Sequence, residues 1–340
     1  MLRRLLGINS QPHLRTYRGF GSEKTFKVFG HVSQDFKERI QTEDSSVRQN
    51  ILYFLRTYLA RGISGEVVEV AFQNKTFSVT TGADGYFELT IHPHKFTLPE
   101  ETEWITLPVM LVSTRQVVHT HVLIEGRSNT YGVISDIDDT VLVSNVANKI
   151  RLIFNTLTKN YFTRVPFDGA ENWYQALVRG EDGQSTNPIF YVSSSHWNLY
   201  TFLKNFFIKN SLPEGPLLLK EFKSFRYLLK NMNDHEHKQR KIQLILDTYP
   251  DMQFVLIGDS SQHDPTLYAS IALDNPGRIR SIYIRDVIPG RDPLVEDARA
   301  LLQDSTPLFT FERSSEAQAM TDKRGTTLNT HLSLSDTIES

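Results

Sequence analysis

Residues 131–140 of the 340-residue chain read Tyr-Gly-Val-Ile-Ser-Asp-Ile-Asp-Asp-Thr. The first residues form a short, mostly apolar run that is typical of a buried strand, and Asp136 stands at its end. Asp138 follows two residues later, and Thr140 follows two residues after that. We predict a strand over Tyr131–Asp136, with acidic and hydroxyl side chains directly after it.

The chain beyond this stretch alternates strands with helices. Further strands are predicted at Ile189–Ser193, Gly215–Lys220, Phe254–Gly258 and Ile279–Ile284, with helices at Trp197–Phe207, His235–Tyr249 and Pro265–Leu273. This alternation predicts an α/β domain with a parallel sheet and helices on both faces. We place that domain at residues 130–318, followed by a polar, disordered tail over residues 319–340.

The chain before residue 130 has the character of a β domain. After a helical or irregular lead-in, a strand is predicted at Lys27–Val32 and a helix over Ser45–Tyr58. Further strands are predicted at Val67–Phe72, Phe77–Thr81, Tyr86–Ile91, Trp104–Val112 and Val117–Ile124. The turn residues Gly82-Ala83-Asp84-Gly85 predict a β-hairpin that joins the strands on either side of them. Short strands separated by turns predict a small β-sandwich over residues 1–129.

Polar side chains follow several strands of the predicted parallel sheet. Ser193 and Ser194 follow the second strand, and Asp259 and Asp264 follow the strand that begins at Phe254, while Lys238 opens the helix before it. Ligands of open α/β sheets bind at the carboxyl ends of the strands, so these groups converge with Asp136. Carboxylates at adjacent strand ends repel one another unless a cation joins them, and oxygen ligands suit Mg²⁺.

These residue types favour phosphoryl transfer. A carboxylate that attacks phosphorus forms an acyl phosphate, which water then cleaves. Asp138 is placed to protonate the leaving oxygen and to activate the water, and lysine and hydroxyl donors balance charge on the phosphoryl oxygens. The sequence therefore predicts a Mg²⁺-dependent phosphatase with Asp136 as nucleophile.

The same residues carry a family resemblance. Asp136-x-Asp138-x-Thr140, Ser193, Lys238 and Asp259 with Asp264 resemble, in order, the four motifs of the haloacid dehalogenase superfamily. Residues 135–141, 191–200, 258–265 and 284–287 resemble, more narrowly, the actin-patch-protein type of phosphatidate phosphatase. The likeness covers roughly residues 130 to 315. Two positions depart from the usual pattern, His196 in place of proline and Lys220 in place of arginine.

The resemblance implies a Rossmann-like haloacid dehalogenase sheet and a division of roles in the site. It implies catalytic roles for Asp136, Asp138, Ser193 and Lys238, and substrate-binding roles for Thr140 and Ser194. It implies metal binding by Asp136, Asp138, Asp259 and Asp264. The substrate that it implies is phosphatidate or a related lipid phosphate.

Several alternatives stay open at this point. The aspartates and serines are also common helix caps, and Lys238 could belong to a solvated basic face with Arg240 and Lys241. A transition-metal site built from His196, His235, His237 and His263 is disfavoured because their separations lack zinc-site spacing. A soluble phosphomonoester is the alternative substrate, and a non-catalytic phosphate- or lipid-binding protein is the alternative function. A receiver domain carries its phosphate-accepting aspartate at the end of its third strand. Asp136 ends the first strand of its domain, so this alternative is disfavoured.

Composition limits the protein class. The formal net charge of -2 disfavours a nucleic-acid partner, and the absence of cysteine excludes disulfides, thiolate metal sites and cysteine nucleophiles. No apolar run is long enough to cross a bilayer, and Met1–Gly7 is too short for a secretory signal. We predict a cytoplasmic protein. Weak peripheral membrane contact is left open, because Val141–Arg164 carries basic and aromatic residues.

Overall fold

The computed structural model describes residues 7–36, 52, 55–137, 167–180, 183–221, 235–260, 263–287 and 293–321. These residues form two sheets, one from the first part of the chain and one from the second. No helix in these ranges is long and apolar enough to pass through a lipid bilayer.

The first sheet has seven strands in the order β4-β3-β6-β7-β1-β2-β5. Its strands are β1 (Ile8–Gly21), β2 (Phe26–Phe36), β3 (Val67–Phe72), β4 (Lys75–Thr80), β5 (Tyr86–Ile91), β6 (Glu103–Leu111) and β7 (Gln116–Ile124). Neighbours are antiparallel except β1 and β7, which are parallel. Alternate residues such as Leu107, Val109 and Leu111 are buried, as expected for a sheet with one covered face.

Strand β1 lies where the sequence predicts a helical or irregular lead-in, and that prediction is wrong. Its residues Ile8–Gly21 include many polar side chains and Pro12, so they lack the alternation that marks a strand. The structure places β1 between β7 and β2, where its backbone is paired on both sides. Pairing by neighbouring strands therefore overrides a weak local pattern here.

The predicted hairpin between residues 77–81 and 86–91 is wrong. Strand β4 pairs with β3, whereas β5 pairs with β2. The tight turn lies instead at Gln73 and Asn74, which both have positive φ, as two-residue hairpin turns require. Gly82 and Gly85 do form a turn, in which the Gly85 amide donates to the Gly82 carbonyl, but the strands on either side do not pair with each other.

A β-sandwich is not what the first part of the chain forms. A sandwich packs two separate sheets face to face. Here all seven strands belong to one continuous mixed sheet, and its edge strands β4 and β5 lie beside each other without pairing. The sheet therefore curls toward a barrel around one apolar cluster that includes Phe26, Val70, Val109 and Val122.

The second sheet has six parallel strands in the order β10-β9-β8-β11-β12-β13. They are β8 (Gly132–Asp136), β9 (Ile189–His196), β10 (Leu217–Lys220), β11 (Phe254–Asp259), β12 (Ile279–Arg285) and β13 (Leu308–Phe311). The helices are α1 (Ala170–Arg179), α2 (Tyr200–Lys209), α3 (His235–Thr248), α4 (Asp264–Asp274) and α5 (Pro293–Leu302). A short 3-10 helix, Trp197–Leu199, precedes α2, and residues 314–321 are helical. The prediction of an α/β parallel sheet is confirmed.

Most predicted elements of this part occur with small shifts of their ends, whereas α1, α5 and β13 were not predicted. In the first part, residues 52 and 55–58 of the predicted helix Ser45–Tyr58 are helical, and the helix continues to residue 59. Residues 45–51, 53 and 54 lie outside the described ranges. Every residue of β8, β10 and β11 is buried, which explains why these strands read as continuous apolar runs.

One apolar cluster joins the two sheets. Phe20 of β1 lies with its ring centroid 5.4 Å from that of Phe190 in β9 and 6.1 Å from that of Tyr249. Tyr17 stacks on Trp197 at 4.2 Å between centroids. These buried side chains belong to the same cluster as the core of the parallel sheet, so the first sheet covers part of the second.

Candidate active site

The strand order sets the place of the site. From β8 the chain first adds β9 and β10 on one side, and then returns to add β11, β12 and β13 on the other. The point of reversal lies between β8 and β11, and crevices at such points are where open α/β sheets bind ligands. Asp136 ends β8 and Asp259 ends β11, so both aspartates stand at this point.

Lys238 joins two of the predicted aspartates. Its Nζ lies 2.8 Å from Asp136 Oδ1 and 2.7 Å from Asp264 Oδ1. The side chain is 3% exposed, whereas Arg240 two residues later is exposed. Lys238 is therefore part of the aspartate cluster and does not belong to a solvated basic face.

The charge of Lys238 follows from this position. Burial alone would lower the pKa of its ammonium group, because a low-polarity environment disfavours charge. The carboxylates of Asp136 and Asp264 outweigh that effect and raise the pKa above its ordinary value. Lys238 is therefore a permanent cation at neutral pH.

The carboxylates themselves form a group that could hold a metal ion. One oxygen from each of Asp136, Asp259 and Asp264 lies within 4.8 Å of the others, and all three residues are buried. Asp264 Oδ2 is buried and has no hydrogen-bond partner among the described residues. No described histidine belongs to this group, so the structure does not support the transition-metal alternative.

The donor set fits a divalent cation. Three carboxylates in their charged form would carry three negative charges, of which the Lys238 ammonium offsets one. Two negative charges remain in a buried space, where uncompensated charge is costly. A hard cation of charge two with oxygen ligands would balance them.

The close approach of β11 to α4 brings Asp264 into the cluster. Gly258 precedes Asp259, and a Cβ added at Gly258 would lie 2.7 Å from Asp264 Oδ2 and 2.7 Å from Tyr268 Cε2. Only glycine fits this contact without a shift of the first turn of α4. Position 258 thus requires the glycine that the sequence places before Asp259.

Two buried tyrosines beneath the cluster were not predicted. The Tyr268 hydroxyl donates to the Ile257 carbonyl at 3.1 Å. Burial, and then the charges of Asp264, Asp136 and Asp259, raise the pKa of Tyr268 well above its usual value, so it stays protonated. The Tyr174 hydroxyl lies 2.7 Å from Ser135 Oγ, which donates to the Asp136 carbonyl. Tyrosines within apolar helix faces give no sequence signal that separates them from core residues.

Ser193 lies on the neighbouring strand, beside Asp136. Asp136 is in register with Val192, so Ser193 is the next residue along β9. Ser193 is fully buried, and its Oγ accepts a hydrogen bond of 2.9 Å from the Ser195 amide. Ser194 is half-buried in the same loop.

The structure therefore brings together Asp136, Lys238, Asp259 and Asp264, with Ser193 on the adjacent strand. Asp138 and Thr140 lie outside the described residues, so their predicted roles stay predictions. Among the departures noted in the sequence, Lys220 is buried at the end of β10, in register with His196. Burial, and then the nearby Lys220 charge, lower the pKa of His196 to about 4, which keeps its imidazole neutral at pH 7.

Fold and site together define an α/β domain with a buried carboxylate–lysine cluster at the carboxyl edge of a parallel sheet. Residues 131–286 match the model of the family described as "Phosphatidate phosphatase APP1, catalytic domain". The match covers the segment that carries the four motifs, and it confirms the resemblance drawn from them.

Two curated relatives match the chain. Phosphatidate phosphatase APP1 of Saccharomyces cerevisiae is 34% identical over 154 residues, which cover 45% of this chain and 25% of the relative. An uncharacterized protein of Schizosaccharomyces pombe is 27% identical over 249 residues, which cover 68% of this chain and 39% of the relative. The chain thus spans well under half the length of the curated relatives it matches.

Solved structures add little. A carbohydrate acetylesterase from Xanthomonas citri matches with a TM-score of 0.34 and 10% identity, covering 88% of this chain and 69% of that one. A similarity at this level carries no argument about fold or function.

Proposed function

We propose that this protein is a Mg²⁺-dependent phosphatase that hydrolyses a phosphate monoester through an aspartyl-phosphate on Asp136. The observation that carries the proposal is the buried cluster in which Lys238 joins Asp136 to Asp264, beside Asp259. The six-stranded parallel order, with its reversal between β8 and β11, supports a Rossmann-like haloacid dehalogenase assignment for this domain.

The cluster suggests how the first step runs. The Asp136 carboxylate attacks phosphorus, a P–O bond to aspartate forms, and the P–O bond to the leaving alcohol breaks. The leaving oxygen takes a proton, for which Asp138 is the candidate from its place in the sequence. Lys238 and the Ser193 hydroxyl are the candidate donors to the phosphoryl oxygens, where charge is distributed in the transition state.

The second step returns the enzyme to its starting state. Water attacks phosphorus, the bond to Asp136 breaks, and inorganic phosphate leaves with Asp136 ionised again. Asp138 would accept the proton of the attacking water. Asp136, Asp259 and Asp264 would hold a Mg²⁺ ion, which supplies charge neutralisation at the transferring phosphoryl group when it is bound.

For the substrate we propose phosphatidate or a closely related lipid phosphate. The support is membership of residues 131–286 in the family and identity to the yeast phosphatidate phosphatase. Peripheral contact of a cytoplasmic protein with a membrane surface belongs to this proposal, since the substrate would be presented there. A soluble phosphomonoester is the alternative substrate, and it needs no such contact.

The test is phosphate release from a substrate panel at controlled metal. Mixed micelles of phosphatidate are compared with small soluble phosphomonoesters, each with EDTA and then with Mg²⁺ restored. We expect EDTA to abolish turnover and Mg²⁺ to restore it, with phosphatidate preferred in kcat/KM. Full activity in metal-free protein would refute the metal site, and no turnover on any substrate would favour a binding protein. A soluble phosphate preferred by about tenfold, which is ~1.4 kcal/mol, would refute the lipid claim alone.

A further inference from the structure

The last four residues of β9 and Trp197, which together we call the serine loop (residues 193–197), extend beyond β8 at the point where the proposed chemistry begins. Strand β8 pairs with β9 only as far as Asp136 and Val192. Ser193 and the residues that follow it, up to His196, extend beyond that pairing. On the other side, β10 reaches His196 only across an irregularity between Leu218 and Lys220. The sheet therefore gives this loop incomplete support.

The first part of the chain supplies the missing support, through β1 and the helical residues 55–59. Trp197, which ends the loop, is 4% exposed and stacks on Tyr17 of β1 with 17° between the ring planes. Asn198 Nδ2 donates a hydrogen bond of 2.7 Å to the Thr57 carbonyl. The Tyr58 ring lies edge-on to the His196 ring, 6.5 Å away. Three successive residues of the loop end thus contact the first part of the chain.

Helix α3, which carries Lys238, is held in the same way. Lys241 lies one helical turn after Lys238, and its Nζ is 5.5 Å from the centre of the Phe29 ring. The same Nζ is 3.7 Å from Glu88 Oε2 of β5. Two separate elements of the candidate active site therefore rest on the same face of the first sheet.

From these contacts we propose that the first sheet is a working part of the active site, with Tyr17 as a positioning residue that acts through Trp197 on Ser193. Within the loop, Trp197 follows Ser195 by two residues, and the Ser195 amide donates to Ser193 Oγ. A donor to a phosphoryl group must be held within a fraction of an ångström for full effect, so loss of the stack should slow the chemical step. This inference rests on the proposed phosphatase function.

The test compares Tyr17→Leu with Tyr17→Phe, which keeps the ring. Phe72→Leu is the matched control, because Phe72 makes its ring contacts with Phe26 and Phe96, within the first part of the chain. We expect Tyr17→Leu to lower kcat about tenfold per folded molecule, with KM changed less than about twofold. Tyr17→Phe should restore kcat to within about twofold of wild type, and Phe72→Leu should keep it, whatever each does to Tm.

A second measurement guards against a variant that does not fold. Asn198→Ala removes the hydrogen bond to Thr57, and orthovanadate inhibition reports the geometry around the phosphoryl site. We expect kcat to fall about threefold and the inhibition constant to rise by a similar factor.

The outcomes separate this inference from the proposed function. If wild type shows no Mg²⁺-dependent turnover, the proposed function itself fails. If wild type is active and both Tyr17→Leu and Asn198→Ala match it in kcat, the positioning role is overturned and the phosphatase proposal stands. A Tyr17→Phe variant as slow as Tyr17→Leu would also overturn the role, because the ring stack would then not be what matters.

Discussion

Lys238 is buried between two carboxylates, whereas an ordinary helix lysine extends into solvent. Because it lies buried between Asp136 and Asp264, Lys238→Met would leave the carboxylates without their cation. Removing one partner of a buried ion pair costs about 3–5 kcal/mol, so we expect a loss of this size in EDTA. Added Mg²⁺ should recover part of it. The measurement is urea unfolding with and without the metal.

Arg240→Met is the control, since Arg240 lies on the same helix and is exposed. It should change the free energy of unfolding by less than about 0.5 kcal/mol. A Lys238→Met variant as stable as this control would show that the buried pairs do not contribute to stability.

At the scale of residues, the sequence was informative wherever chemistry depends on position along a strand. Asp136 and Asp259 follow continuous apolar runs, so their place at strand ends could be predicted. Asp264 and Lys238 followed from motif order. Tyr174 and Tyr268 could not be predicted, because their roles depend on which buried carbonyl or hydroxyl lies opposite them in three dimensions.

At the scale of elements, the contact between β11 and α4 determines where Asp264 lies. Gly258→Ala would place a methyl group 2.7 Å from Asp264 Oδ2, so the first turn of α4 must move. Overpacking of this kind costs about 1–3 kcal/mol. Displacement of a candidate ligand should also weaken Mg²⁺ binding by about tenfold or more. Calorimetric Mg²⁺ titration together with Tm measures both effects.

Gly82→Ala is the matched control, because the nearest atom to a Cβ at Gly82 is Asp84 Oδ1 at 3.5 Å, an ordinary contact. It should leave Mg²⁺ affinity unchanged. If Gly258→Ala binds Mg²⁺ as tightly as Gly82→Ala does, then Asp264 is not a ligand or the approach of α4 is looser than the structure shows.

The parallel arrangement of the second sheet could be predicted from the sequence, whereas the strand pairing of the first sheet could not. The buried strands β8 and β11 can be identified in the sequence because they are continuous apolar runs. Their parallel order follows from the helices between the strands. In the first sheet, β5 alternates as expected but pairs with β2 and not with β4. Alternation identifies a strand and its buried face, but it does not identify the partner strand.

At the scale of the whole molecule, one apolar cluster runs through both sheets. Phe20 of β1 is fully buried and packs against Phe190 and Tyr249 of the second part. We expect Phe20→Ala to cost about 3–5 kcal/mol. We also expect wild type to unfold in a single transition by scanning calorimetry, because the two sheets share this core.

Phe26→Ala is the comparison, since Phe26 is equally buried but packs against Phe72 and Phe96 within the first part of the chain. It should lower Tm without separating the two sheets. Two resolved transitions in wild type would contradict a shared core.

The shared core explains what the sequence could not reveal about domain organisation. The change of character near residue 130 predicts two structural units, and two sheets are found. The two sheets are joined through Phe20, Tyr17 and Trp197. In the sequence, these aromatic residues are equally consistent with two separate cores. The limits 1–129, 130–318 and 319–340 stay predictions.

The most direct test of the account is the turnover of Asp136→Asn. This change keeps the shape of the side chain and removes its anionic nucleophile. Phosphate release is measured with phosphatidate micelles at saturating Mg²⁺, beside wild type and the exposed control Asp297→Asn, with Tm verifying the fold. We expect a fall in kcat of about 10³-fold or more, equal to at least ~4 kcal/mol, and wild-type turnover for the control. A variant that keeps more than about a tenth of wild-type turnover would show that Asp136 is not the nucleophile.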